Sequence, residues 1–200
     1  MVAIVEYGMG NVASVQKALR FLNVDSVVTA DFEEINRSKY IILPGVGSFR
    51  QAMENLRQRK LITFLREKVA ESKPFLGICL GMQLLAEKGY EDGTTEGLGF
   101  IEGEVIRIPA SGLPVPHIGW NNIDIKIPKY FDKLTDNNFY FVHSYFFNAK
   151  NISDVAATVS YGSDLVAVVQ KNNVFGTQFH PEKSQTAGLQ VLKNFIDFYA

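Results

Sequence analysis

Residues 74–85 constrain this chain more than any other stretch. Pro74 opens an apolar run, Phe75-Leu76-Gly77-Ile78, of the kind a buried strand shows. The residues beyond Gly81 have helical spacing and good helix formers. Cys79 stands at the junction, with Gly77 and Gly81 two residues to either side. A strand that turns sharply into a helix strains its central residue and crowds its flanks, where only a residue without a side chain fits easily. That is the pattern of a nucleophile elbow, with a thiol in place of the usual hydroxyl. A helix that follows directs its positive end at the sulfur and favours the thiolate. The same residues also suit a buried structural cysteine between two incidental glycines. A nucleophile at Cys79 therefore needs a base, an orienting group and oxyanion donors from elsewhere in the chain.

The elements before the elbow alternate strand and helix. Val2, Ala3, Ile4 and Val5 form a short strand, and Val12, Val15, Leu19 and Leu22 give one apolar helical stripe. Between them lies Gly8-Met9-Gly10-Asn11. It lacks the third glycine and the later acidic residue of a dinucleotide loop, which excludes that cofactor site. Residues 26–29 and 40–43 read as strands, the second stopped by Pro44-Gly45-Val46-Gly47. A glycine-rich turn there either simply ends the strand or presents backbone N–H groups to an oxyanion. Leu61, Ile62, Leu65 and Val69 mark an amphipathic helix before the elbow. Such alternation predicts a parallel sheet with its site at the strands' carboxyl ends, where Gly47 and Cys79 both fall.

Beyond Glu87 the pattern changes. Residues 89–93 read as a loop and 100–108 as a strand pair or one long bent strand. Residues 114–122, with the only Trp, read as a punctuated loop ahead of a half-buried strand carrying Ile123, Ile125 and Ile127. Further strands are expected at 138–146, 155–159, 167–170 and 174–179, with a hairpin turn at 171–174. Leu189, Leu192, Ile196 and Tyr199 close the chain as an amphipathic helix. The expected fold is α/β: a mixed, mostly parallel central sheet flanked by helices, one domain over residues 1–200. No repeat, low-complexity run or linker divides it.

Composition narrows the function. A net charge of −1 offers no electrostatic footprint for nucleic acid or an anionic membrane. One cysteine excludes an internal disulfide and fits a reducing compartment. The N-terminal residues lack a signal peptide's basic region, and no apolar run approaches membrane-spanning length. A cytoplasmic location is expected. Of three histidines, His180 ends a core strand and is followed by Pro181-Glu182, so the carboxylate can turn back onto the imidazole and fix its tautomer. His143 also ends a strand but has no nearby acid, and His117 falls in a Pro-flanked loop with an expected surface role. The scattered histidines and the lack of a second cysteine argue against a metal. The residues thus reach a Cys-His-Glu acyl-transfer site without naming its substrate.

Three motifs together resemble the class I (triad) glutamine amidotransferases: Pro44-Gly45-Val46-Gly47, Gly77-Ile78-Cys79-Leu80-Gly81-Met82-Gln83 and Phe179-His180-Pro181-Glu182-Lys183-Ser184. Gly8-Met9-Gly10-Asn11, Pro116-His117-Ile118-Gly119-Trp120-Asn121 and Tyr140-Phe141-Val142-His143-Ser144-Tyr145 are similar to the glutaminase subunits of imidazole glycerol phosphate synthase. The resemblance implies that Cys79 attacks the carboxamide of glutamine with His180 and Glu182 as base and orienter. It places Val46 and Gly47 at the oxyanion, and Gln83, Glu91, Ser144 and Tyr145 at the glutamine; Glu96 competes with Glu91. It further implies a (β/α)₈ cyclase partner in histidine biosynthesis that receives the ammonia, contacted by Asn11, Trp120, Tyr140 and Lys183, with no cofactor. A paralogous glutaminase serving another synthase, in surface-polysaccharide or pyridoxal phosphate synthesis, and a non-catalytic interaction subunit are the alternatives.

Overall fold

The computed structural model describes residues 1–109 and 112–200. Strands β1 (Val2–Val5), β2 (Ser26–Thr29), β3 (Tyr40–Gly45) and β4 (Phe75–Cys79) run parallel in the order β2-β1-β3-β4. Helices α1 (Val12–Phe21), α2 (Phe32–Arg37), α3 (Phe49–Gln58) and α4 (Leu61–Ala70) supply their connections. The fully buried strands alternate in which core they serve. Val2 and Ile4 pack with Val15 and Leu19 of α1 on one face, whereas Ala3 and Val5 pack with Phe49, Met53, Leu61 and Leu65 on the other. α2 and α3 have no counterpart in the sequence reading, although Asp31 and Ser48 cap them through their side chains.

β3 runs two residues further than expected and includes Pro44 and Gly45. Its pairing with β1 has already ended at Ile42, while Pro44 and Gly45 continue beside Ile78 and Cys79 of β4. On the far side of β4 lies β13 (Val174–Thr177), parallel to it and drawn from the end of the chain. From there β12 (Asp164–Lys171), β11 (Val155–Ser160), β8 (His117–Ile125) and β9 (Asn138–His143) complete a nine-stranded sheet, each antiparallel to its neighbour. The sheet is mixed, as expected. α6 (Gln185–Phe198) closes the face shared with α1 through Val191, Leu192 and Phe195.

Three expectations need correction. Residues 117–122 are not a loop: His117 to Asn122 pair residue by residue with β9, so β8 spans nine residues. The strand expected over 138–146 breaks at Ser144. Its continuation, β10 (Tyr145–Ala149), pairs with β7 (Gly103–Arg107), the one strand formed within residues 100–108. With the short β5 (Lys88–Gly89) and β6 (Thr95–Glu96), these make a second, four-stranded sheet that the sequence reading lacks. Among the described residues no helix is long and apolar enough to cross a membrane.

Candidate active site

Cys79 ends β4 with φ +55° and ψ −111°, a conformation that L side chains rarely adopt. The strain is held by close packing on both sides. A Cβ on Gly81 would lie 1.8 Å from the carbonyl oxygen of Leu43 in β3, and one on Gly77 would lie 2.5 Å from that of Gly81. Both positions are closed to any side chain. The helix that follows, α5 (Leu80–Gln83), is only one turn, shorter than its spacing suggests. The reason lies in residues 97–101, whose N–H groups take the carbonyls of Leu84, Leu85, Ala86 and Glu87 and stop the helix from extending. Any dipole at the sulfur is therefore that of a single turn, and the local field rests on side chains.

His180 follows β13, and three bonds fix its backbone, one of them from the Lys183 N–H to its carbonyl at 3.1 Å. Its N–H donates to the Tyr140 carbonyl at 3.0 Å, and its own carbonyl accepts from the Ser184 hydroxyl at 2.7 Å. Ser184 Oγ accepts in turn from the Tyr140 N–H at 3.0 Å, so one buried hydroxyl ties β9 to the turn carrying His180. The imidazole Nδ1–H donates to Glu182 Oε1 at 2.8 Å, with both side chains 2 % exposed. Burial pulls the imidazolium down, but the neighbouring Cys79 sulfur and the Glu182 carboxylate outweigh it and raise the His180 pKa to about 9. Nε2 lies within the influence of the Cys79 sulfur yet closes no hydrogen bond. Such contacts often tighten only when substrate binds.

A cavity of about 340 Å³ opens over the sulfur. Val46, Gly47, Cys79, Gln83, Glu91, Ser144, Tyr145 and His180 line it, together with Leu80, Pro116, Val142 and His143, which the sequence did not place there. Glu182 stands behind His180. Gly47 has φ +104°, and a Cβ there would meet Met9 Cε at 2.7 Å, so the turn after β3 is built for glycine. Glu91 Oε2 accepts the Phe49 N–H at 2.7 Å, leaving its other oxygen for a ligand. Glu96 lies in β6 and lines a different depression, which separates the two candidates. A thiol on a strained elbow, an imidazole paired with a carboxylate and a cavity of about 340 Å³ suit acyl transfer from a carboxamide.

Comparison with known proteins carries this chemistry to a family. The family model for class I glutamine amidotransferases matches residues 3–198. The chain belongs to the class I glutamine amidotransferases. It is 45 % identical over 200 residues to "Imidazole glycerol phosphate synthase subunit HisH 1" of Campylobacter jejuni, covering 98 % of this chain and 99 % of that protein. It is 46 % identical over 197 residues to "Imidazole glycerol phosphate synthase subunit HisH" of Caldanaerobacter subterraneus, covering 98 % and 97 %. Among solved structures, a PurLQS structure from Thermotoga maritima matches with a TM-score of 0.75 at 19 % identity, covering all of this chain and 98 % of its own. At that identity the likeness is one of fold.

In this amidotransferase His143 ends β9 as expected, whereas His117 does not lie where the sequence suggested. His117 is 3 % exposed rather than superficial, stacked between Phe141 and Tyr161, because β8 turns it inward. Its Nδ1 lies 3.0 Å from His143 Nε2, and His143 Nδ1 lies 2.8 Å from the Tyr145 carbonyl. The histidines are thus gathered rather than scattered. Even so, no group of three or more His, Cys, Asp or Glu side chains among the described residues could hold a metal ion. Burial lowers the His117 pKa. Burial also takes His143 down to about 4, only partly opposed by its bond to Tyr145 and reinforced by the neighbouring His117 and His180.

Three of the four residues expected at a partner surface form one cluster. Trp120, 47 % exposed, meets the Tyr140 ring at 6.1 Å, and Lys183 Nζ sits 5.9 Å from the same ring. Asn11 instead caps α1, its Oδ1 accepting the Ser14 N–H at 3.2 Å. Gln178, fully buried between β13 and His180, was not singled out. Its signal was a carboxamide inside the apolar run from Val174 to Phe179.

Proposed function

We propose that the chain is the glutaminase subunit of an imidazole glycerol phosphate synthase in histidine biosynthesis, one domain that hydrolyses glutamine and passes the ammonia to a (β/α)₈ cyclase subunit. The observation that carries this reading is the strained Cys79 elbow sharing a cavity with the buried His180–Glu182 pair. It does so in a chain 45 % to 46 % identical, over nearly its whole length, to HisH subunits.

The chemistry follows from the geometry. His180 takes the Cys79 proton, and the thiolate attacks the side-chain carbonyl carbon of glutamine. The oxyanion forms beside the Val46–Gly47 turn, whose backbone N–H groups are its donors. His180 then gives its proton to the leaving nitrogen, and ammonia departs from a glutamyl thioester. A water, deprotonated by the same imidazole, releases glutamate. Glu182 holds the ring in the tautomer that keeps Nε2 toward the sulfur. Gln83 Oε1 and the second oxygen of Glu91 receive the substrate's ammonium, while the backbone at Ser144 and Tyr145 borders its other end. Trp120, Tyr140 and Lys183 form the surface for the cyclase subunit, with Asn11 at the start of α1 as a further contact.

The test is glutamate release in the presence of the cyclase subunit. Cys79→Ala and His180→Asn should each lose at least about 10³-fold in kcat with an unchanged circular dichroism spectrum. Trp120→Ala should weaken association about tenfold or more, as interface aromatics do. Near-wild-type turnover by Cys79→Ala would remove the nucleophile. Failure of the wild-type chain to bind the cyclase subunit would remove the pathway.

A further inference from the structure

Five buried or half-buried side chains join in one unbroken run of hydrogen bonds that ends on the Cys79 sulfur. Asn121 Nδ2 lies 3.4 Å from His117 Nε2, His117 Nδ1 lies 3.0 Å from His143 Nε2, and His143 Nδ1 lies 2.8 Å from the Tyr145 carbonyl oxygen. The same oxygen accepts from Gln83 Nε2 at 2.9 Å. Gln83 Nε2 also donates to Gln178 Oε1 at 3.0 Å, and Gln178 Nε2 lies 3.7 Å from Cys79 Sγ.

The direction of every bond is forced. A carbonyl oxygen only accepts, so His143 must carry its proton on Nδ1 and Gln83 must present its amide nitrogen. The Gln83 nitrogen has two hydrogens, and the second requires an acceptor, which sets Gln178 with its oxygen toward Gln83. Only the Gln178 nitrogen is then left to face the sulfur. On the other side, neutral His143 offers a lone pair at Nε2, which takes the Nδ1–H of His117, and His117 Nε2 takes the Asn121 amide. Asn121 is fixed in turn by the Ser160 carbonyl at 3.1 Å and by the Asn122 N–H on its oxygen at 2.9 Å.

We propose that Gln178 is a catalytic residue that donates its carboxamide N–H to the Cys79 thiolate, and that His143 is a positioning residue holding that carboxamide, through Tyr145 and Gln83, with nitrogen rather than oxygen toward the sulfur. The thiol already has an acceptor in the Val142 carbonyl at 3.9 Å. Once His180 removes the proton, that carbonyl faces a negative sulfur and opposes it. The Gln178 N–H supplies the opposite interaction to the charged form, and bonds to charged partners are the stronger kind. A carboxamide turned the other way would add a second opposing dipole. The buried pair His117 and His143 stays neutral because burial lowers both, which preserves the order of donors.

The inference rests on the reading of Cys79 as nucleophile, and a test that bypasses turnover keeps the two separable. Cys79 is the only cysteine, so iodoacetamide labelling of the full chain, followed by intact mass, reports this sulfur alone. The pH is held at 7 throughout, because His180 beside the sulfur also titrates. Gln178→Met should slow labelling of the folded chain about tenfold, as expected for loss of a hydrogen bond to a charged group, and leave labelling in urea unchanged. Gln178→Glu, which keeps the volume, serves if the methionine variant does not fold, and should slow labelling at least as much. His143→Leu should slow labelling about threefold. His143→Asn, which keeps an N–H at the Nδ1 position, should recover the wild-type rate, a rescue that a packing role would not produce. Wild-type labelling in both Gln178 variants overturns the donor. Equal loss in His143→Leu and His143→Asn overturns the positioning role. Glutamate release retained by Cys79→Ala overturns the nucleophile itself, whatever the labelling shows.

Discussion

Acidification should unfold this protein partly through one imidazole. His143 lies almost wholly inside the fold, where burial lowers its pKa from 6.5 to about 4. Above pH 6.5 the ring is neutral in both folded and unfolded chains and contributes no pH dependence. Below it the unfolded chain binds a proton that the folded chain refuses until about pH 4, so stability falls as pH falls across that window. Each pH unit of displacement is worth about 1.4 kcal/mol, giving about 3 kcal/mol lost between pH 7 and 4. For a chain of this size that is roughly 6–12 °C in Tm. His143→Asn removes the titration while His117, its neighbour in the wild type, remains. Urea unfolding of both proteins at half-unit steps from pH 7.5 to 4 isolates the difference, since the carboxylates common to both cancel. The variant should gain about 3 kcal/mol on wild type between pH 7 and 4. Parallel stability curves would refute the reasoning, showing that the ring is hydrated or already charged.

Two further outcomes follow from the elbow and its turn. Gly81→Ala should unfold the protein or cost more than about 3 kcal/mol, beyond ordinary overpacking, because its Cβ would meet the Leu43 carbonyl at 1.8 Å in a central strand; thermal melting decides, and a loss under 1 kcal/mol would contradict the packing. On the proposed function, the chain without a cyclase subunit should bind glutamine but turn it over slowly. A gain mainly in kcat on adding partner and acceptor nucleotide would fit a turned peptide at Val46–Gly47 that completes the oxyanion donors, a deficit worth about 10² to 10³ in rate, whereas equal kcat alone and in complex would exclude it.

Most of the candidate site was legible because its residues sit at strand ends. Gly77, Cys79 and Gly81 announce an elbow by sterics alone, and Glu182 is close enough in sequence to claim His180. The early strands were readable from short β-branched runs. α3 carried a signal too, Ser48 followed by Phe49, Ala52, Met53 and Leu56, in a stretch read only up to its glycine turn. What escaped depends on distant pairing. His117 is buried by a partner strand beginning about twenty residues later, and nothing in Pro116-His117-Ile118-Gly119 declares that strand. The break at Ser144 is set by β7 competing for β10, and the short α5 by carbonyl capture from residues 97–101. Gln178 escaped because a single buried carboxamide has no periodicity.

The place of β13 beside β4 ties the timing of assembly to the length of the chain. Phe75 to Ile78 pair with Val174 to Thr177, so the strand that ends in Cys79 gains its second neighbour only from residues made about a hundred positions later. At roughly 5–20 residues per second on the ribosome, that interval is on the order of 5–20 s. Throughout it the nucleophile strand has one open edge, and neither Gln178 nor His180 yet exists to act on the sulfur. On the proposed mechanism, a nascent or truncated chain therefore has no base for Cys79. The proposed site is completed in a single late event, the insertion of β13 into the middle of a sheet whose remaining strands are already made.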